Sequence, residues 1–232
     1  MTAESDRSSR RDFVTDVGRL ASVAALTACM NPQRAQARTR PNALPATSAG
    51  EWDLSWVDRV ANTNDRAVFD SPTIADGFVL DLAGRYLDNC DAVYGVGKHD
   101  ARVVLNIRTQ AVGMAMTDAA WERFALGVEY TVKDPVTQQP AVRNPFWHRV
   151  PTTSTAPTPP TMEELVRRGA IILVCDFALG HVSKRLATKF SRDADAVHRD
   201  LRASFVPGAI AVPSGIFGLA RAQNAGCALV RM

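Results

Sequence analysis

The chain has 232 residues, with 27 basic against 24 acidic side chains, a formal charge of +3, and 46% hydrophobic residues. So even a balance, without a basic stripe or a Lys-rich tail, gives no reason to expect nucleic acid or an anionic membrane as partner. Its four cysteines (Cys29, Cys90, Cys175 and Cys227) and four histidines show no metal-ligand spacing, so neither a zinc site nor a disulfide framework is expected.

The first 37 residues read as an address. Ser9-Arg10-Arg11-Asp12-Phe13 precedes an uncharged run at 20–30, and Ala35-Gln36-Ala37 closes the segment. A basic start, an apolar middle and a small-residue cleavage site form a twin-arginine export signal, with Arg10 and Arg11 as its motif. The apolar run would rise only about 16 Å as a helix, against a hydrocarbon core of roughly 30 Å, so no membrane span is predicted. Cleavage after Ala37 gives a soluble periplasmic or secreted product. Leu26-Thr27-Ala28-Cys29 is the alternative, a lipoprotein processing site that would leave an anchor on Cys29. The twin-arginine translocon is the partner this signal implies.

Residues 38–64 are rich in Arg, Pro, Thr, Ser and Ala and read as a linker, in which a short helix at 53–60 packs the tryptophans Trp52 and Trp56 onto the domain. The folded unit is predicted over 65–232. Its elements alternate: a strand at 66–69, a helix at 73–89, a buried strand at 101–107, and a helix at 118–126 with Thr117 as cap. An insertion at about 128–160 interrupts this order. Within it Asn144-Pro145-Phe146-Trp147 carries enough aromatic mass to dock, whereas 151–160 is a Pro/Thr stretch.

Regular structure then resumes. Thr161-Met162-Glu163-Glu164 is a capping box, and Gly169 ends its helix. Ala170-Ile-Ile-Leu-Val-Cys175 is the strongest strand in the chain, followed by helices at 177–189 and 194–205. A strand at 208–212, a helix at 216–225 stopped by Gly226, and a last strand at 227–230 complete the order. Continuous apolar strands separated by helices predict a three-layer α/β/α domain with a mainly parallel sheet of about five strands.

In open parallel sheets ligands bind beyond the carboxyl ends of the strands. Three such ends carry chemistry: Arg108 after the 101–107 strand, Cys175 at the end of the next, and Ser214-Gly215 after the 208–212 strand. Cys175 precedes a helix, where free N–H groups favour a thiolate, although the neighbouring Asp176 opposes one. Ser214 lacks the glycine of a nucleophile elbow and reads as a helix cap whose neighbouring N–H groups face an anion. Gly95-Val96-Gly97 precedes a strand instead of following one, so it is no dinucleotide fingerprint, and no cofactor is expected.

The helix containing Leu165-Val166 and Gly169, the apolar strand ending in Cys175, and the segment 207–230 resemble the DsrE/DsrF-like sulfur-relay superfamily, over about residues 65–230. That resemblance implies a small flavodoxin-like domain assembling as a homotrimer or homohexamer. It also implies sulfur carried as a persulfide on a cysteine at the position of Cys175. The long insertion, Asp176 and the export signal are departures from the family pattern. Two functional expectations stand together: an exported protein handling sulfane sulfur or thiols through Cys175, or a non-enzymatic oligomeric scaffold with a small-anion or small-molecule crevice near Arg108, Ser214 and Gly215.

Overall fold

Five apolar segments, each too short for a helix of useful length and flanked by helical ones, pair as strands. They are β1 (Asp65–Ser71), β2 (Ala101–Ile107), β3 (Ile171–Cys175), β4 (Ala209–Val212) and β5 (Ala228–Arg231). The computed structural model describes residues 52–96, 100–149 and 158–231. The export motif at Arg10 and Arg11, both processing sites and residues 38–51 of the linker lie outside the described residues. The strands form one all-parallel sheet in the order β4-β3-β2-β1-β5, so the predicted three-layer α/β/α architecture is present.

The chain steps outward from β1 to β4 and then returns across the sheet to place β5 on the far side of β1. With right-handed crossovers, that reversal divides the helices between the faces. On one face lie α2 (Phe78–Tyr94), α5 (Met162–Arg167), α6 (Asp176–Phe190) and α7 (Ala194–Ala203). They bury Val79, Leu87, Leu165, Leu179 and Leu201 against Phe69, Leu105, Ile172 and Val174. On the other, among the described residues, lie α1 (Trp56–Ala61) and α8 (Gly215–Asn224). Trp56, Val60 and Ala222 cover Val68, Val104, Leu173 and Val212 there. Alternate residues of each strand serve the two cores, the period-two signature of a sheet buried on both sides.

Three expectations are corrected. The folded unit begins before residue 65, because Trp56 and Val60 are fully buried and α1 is part of the second core, so residues 52–64 are not a free linker. The helix predicted at 118–126 is two short ones, α3 (Asp118–Arg123) and α4 (Leu126–Glu129), broken where Ala125 turns left-handed at φ +47°. Thr117 stands at the N-cap of α3 but makes no side-chain cap bond. The capping box of α5 is as predicted, with the Glu164 N–H donating to Thr161 Oγ1 at 3.2 Å and the Thr161 N–H donating to Glu164 Oε2 at 2.8 Å.

The docking half of the insertion is fastened by one side chain. Asn144 is 2% exposed and uses both amide hydrogens, donating from Nδ2 to the carbonyls of Met114 at 2.7 Å and Met116 at 2.6 Å. Its Oδ1 accepts from the Phe146 N–H at 2.9 Å, which seats Phe146 beside Trp121. Removing that amide leaves two buried carbonyls and one N–H without partners. Asn144→Ala should therefore lose roughly 2–4 kcal/mol, read as a lower urea midpoint at unchanged slope. A loss under about 0.5 kcal/mol, the size of an ordinary surface substitution, would show that the insertion docks by other means.

Candidate functional site

β3 and β4 are neighbours, yet α6 leaves the end of β3 toward one face and α8 leaves the end of β4 toward the other. Two adjacent strands whose connections diverge leave a crevice at their carboxyl ends. A cleft of about 380 Å³ lies at this point. Arg108, Thr109 and Gln110 after β2, Cys175 at the end of β3, and Ser214, Gly215 and Ile216 after β4 line it, with Phe177, His181 and Arg185 of α6 among the rest. All four residues singled out from the sequence, Cys175, Arg108, Ser214 and Gly215, therefore meet in one cavity.

Cys175 is the N-cap of α6, and its Sγ accepts the Ala178 N–H at 3.3 Å. The positive end of the helix thus faces the sulfur. The residue is 5% exposed and forms part of the cleft wall. Asp176, the neighbour expected to oppose a thiolate, turns its carboxylate away: Oδ1 lies 3.1 Å from His198 Nε2 and 3.5 Å from Arg202 Nη1, both on α7.

Arg108 is held from beneath. Asp70 of β1 stands in register with Asn106 of β2, on the face covered by α8. Its side chain is 2% exposed and receives two hydrogen bonds from Arg108, Nε to Oδ1 at 2.7 Å and Nη2 to Oδ2 at 2.8 Å. Asn106 Nδ2 adds a third at 3.0 Å. Burial on its own would raise the Asp70 pKa; the Arg108 bonds and charge, Asn106 and Arg231 outweigh it and hold the carboxyl below its ordinary value. Asp70 in turn raises the Arg108 pKa, and Cys175 adds a smaller push the same way.

Glycines let α8 close on this group. A Cβ at Gly215 would fall 2.7 Å from Arg108 Cβ and 2.8 Å from Arg108 Cδ, so only glycine lets the helix start press on the arginine stem. Gly218 brings α8 similarly close to Asn106, whose Oδ1 is buried without a hydrogen-bond partner among the described residues. The loop after β2 is tied to the end of β1, with the Arg108 N–H donating to Ser71 O and the Gln110 N–H to Pro72 O, each at 3.0 Å. Between them Thr109, a β-branched residue, is held left-handed at φ +53°.

Ser214 is the cap that its position suggested: its Oγ accepts the Phe217 N–H at 3.2 Å, and among the described residues no base is bonded to it. Of the α8 N–H groups expected to face an anion, that of Phe217 is taken by Ser214 Oγ and that of Gly218 by Ser214 O. Sequence reasoning missed Asp70 and His181. Asp70 offered one signal, a carboxylate ending the otherwise apolar run Ala67-Val68-Phe69. Among the described residues no group of three or more His, Cys, Asp or Glu is placed to hold a metal ion, and no helix is long and apolar enough to cross a membrane.

The depressed Asp70 pKa fixes a sign. Its contribution to stability is complete above the ordinary value of 3.8 and is lost as the pH falls below that, through the lower folded value. At pH 7, Asp70→Asn should be roughly 2–4 kcal/mol less stable than the wild type, since it breaks a buried pair. Urea unfolding should show this gap narrowing on acidification below about pH 4, where Asp70 itself becomes protonated. A gap that stays constant down to the acid limit would show that the carboxylate charge is not what holds Arg108.

No family model matches the chain, and no curated protein matches it. Among solved structures it is similar to a protein of unknown function, MTH1491 from Methanobacterium thermoautotrophicum, at 15% sequence identity and a TM-score of 0.38, over 73% of this chain and 100% of that one.

Proposed function

We propose that this is an exported, DsrE-like protein that accepts sulfane sulfur, or exchanges thiols, at Cys175. The observation that carries the reading is the position of Cys175: it caps α6 at the wall of a cleft lined by two arginines and a histidine and by no carboxylate. With a persulfide donor the reaction balances without an outside oxidant. The Cys175 thiolate attacks the outer sulfur, the donor S–S bond breaks, the donor leaves as a thiolate, and that thiolate takes up the proton Cys175 gave up. Export through the twin-arginine route rests on Arg10 and Arg11. Assembly into a homo-oligomer rests on the family resemblance.

Among the three described cysteines, thiol chemistry should be confined to Cys175. Burial raises the Cys90 and Cys227 thiols, the latter to about 11, so neither should react in the folded protein near neutral pH. Under native conditions a thiol reagent should label Cys175 but neither Cys90 nor Cys227, and a persulfide donor should add about 32 Da to the Cys175 peptide, reversed by a reductant. Absence of both changes at Cys175, with labelling restored on unfolding, would defeat this reading.

A second reading has its own support. Cys175 is 5% exposed and its sulfur already serves as a helix cap, as a purely structural cysteine would. On that reading the molecule is a non-enzymatic scaffold with a small-molecule crevice, and Cys175→Ser leaves ligand binding intact.

A further inference from the structure

We infer that the cleft selects a small anion carrying a sulfane sulfur, of the thiosulfate type, and that Arg108 is the residue that holds its charged end. The sulfur-transfer part rests on the function proposed above; the selection of an anion does not.

A guanidinium has five N–H donors. Asp70 takes one edge of Arg108, through Nε and Nη2. The opposite edge, Nη1, makes only a long 3.4 Å contact with Thr109 Oγ1 among the described residues, and Thr109 itself lines the cleft. Arg108 thus has donors left over on the cleft side, while its counter-ion sits behind it, out of solvent. Arg185 repeats the pattern: its partner Glu129, 3.0 Å away, is not part of the lining. The cleft therefore shows the cationic side of two ion pairs and the carboxylate side of neither.

Two further features favour a guanidinium as the anchor. The Asp70 fork and the press of Gly215 against the stem fix its orientation before anything binds, so little side-chain freedom is lost on binding. Three helix-terminal amides near the cleft already have partners, the Phe177 N–H on Pro213 O, the Ala178 N–H on Cys175 Sγ and the Phe217 N–H on Ser214 Oγ, which leaves fewer of them to compete with the guanidinium. The volume of about 380 Å³ suits a small molecule.

The chemistry follows from the two walls. With the sulfonyl head of thiosulfate on Arg108, the Cys175 thiolate attacks the terminal sulfur, the S–S bond breaks, and its electron pair leaves with sulfite. Cys175 becomes a persulfide anion, and charge and redox state balance. The guanidinium stabilises the charge collecting on the departing sulfite.

The test uses the full-length protein and two methanethiosulfonates, one bearing a sulfonate and one a quaternary ammonium, with modification of Cys175 followed by peptide mass. The anionic reagent should react about tenfold faster or more, and high salt should shrink the ratio. Arg108→Gln should bring the two rates within about threefold of each other, as expected when a focusing charge is removed. Because that variant leaves Asp70 buried and unpaired, Asp70→Asn/Arg108→Gln is the folded control and should behave alike. Equal rates in the wild type, a preference for the cation, or an unchanged ratio in the double variant would each overturn the proposal. Calorimetry of thiosulfate binding to Cys175→Ser decides the anion claim separately. Binding weakened about tenfold by the double change supports it, as loss of a charge-assisted anchor predicts, and no binding refutes it. If neither reagent modifies Cys175 while thiosulfate still binds, sulfur transfer fails and anion selection stands.

Discussion

The return of the chain from β4 to the far side of β1 is the constraint from which the site follows. A sheet built only by outward steps would carry every crossover helix on one face and leave the other to α1 alone among the described elements. The reversal sends α8 across the exposed face, where it and α1 supply the second layer. The same reversal makes the connections after β3 and β4 diverge. The cleft is thus a by-product of closing the core.

At that point the protein buries a charge. A carboxylate beneath a helix is costly unless it is fully hydrogen-bonded, and a well-packed apolar pair of similar volume is often at least as stable. Asp70 with Arg108 and Asn106 is therefore poor evidence for stability and better evidence for placement. The pair converts a long, mobile cation into a fixed one with a defined free edge. The strained Thr109 beside it belongs to the same economy, since left-handed backbone at a β-branched residue persists only where the surroundings impose it.

Much of the layer architecture was legible in the sequence. The short, continuous, β-branched run ending in Cys175, bounded by Gly169, reads as a strand buried on both faces, and the rule that ligands gather at carboxyl ends was enough to bring Arg108, Cys175, Ser214 and Gly215 together. What escaped was what depends on register or on very short elements. The partnership of Asp70 with Arg108 spans 38 residues and becomes visible only when β1 and β2 are aligned. The short helix around Trp56 and its packing onto the domain were legible, but the boundary was not: the polar composition of 38–64 hid that the core already includes Trp56 and Val60. Ala125 gives no local sign of a left-handed turn, because the conformation is imposed by the packing of α3 and α4 around it.

The anchorage of α1 also sets a leash. Trp56 is sealed in the second core and Trp52 stacks against Arg202 of α7, so the chain is anchored to the domain from residue 52 onward. If the leader is cut after Ala37, residues 38–51 extend the chain by at most about 50 Å. If Cys29 is instead retained as a lipidated terminus, residues 30–51 allow at most about 75 Å. On the export proposed above, the choice between those two ends would decide whether the cleft meets molecules diffusing freely or only those that come within a few nanometres of a bilayer.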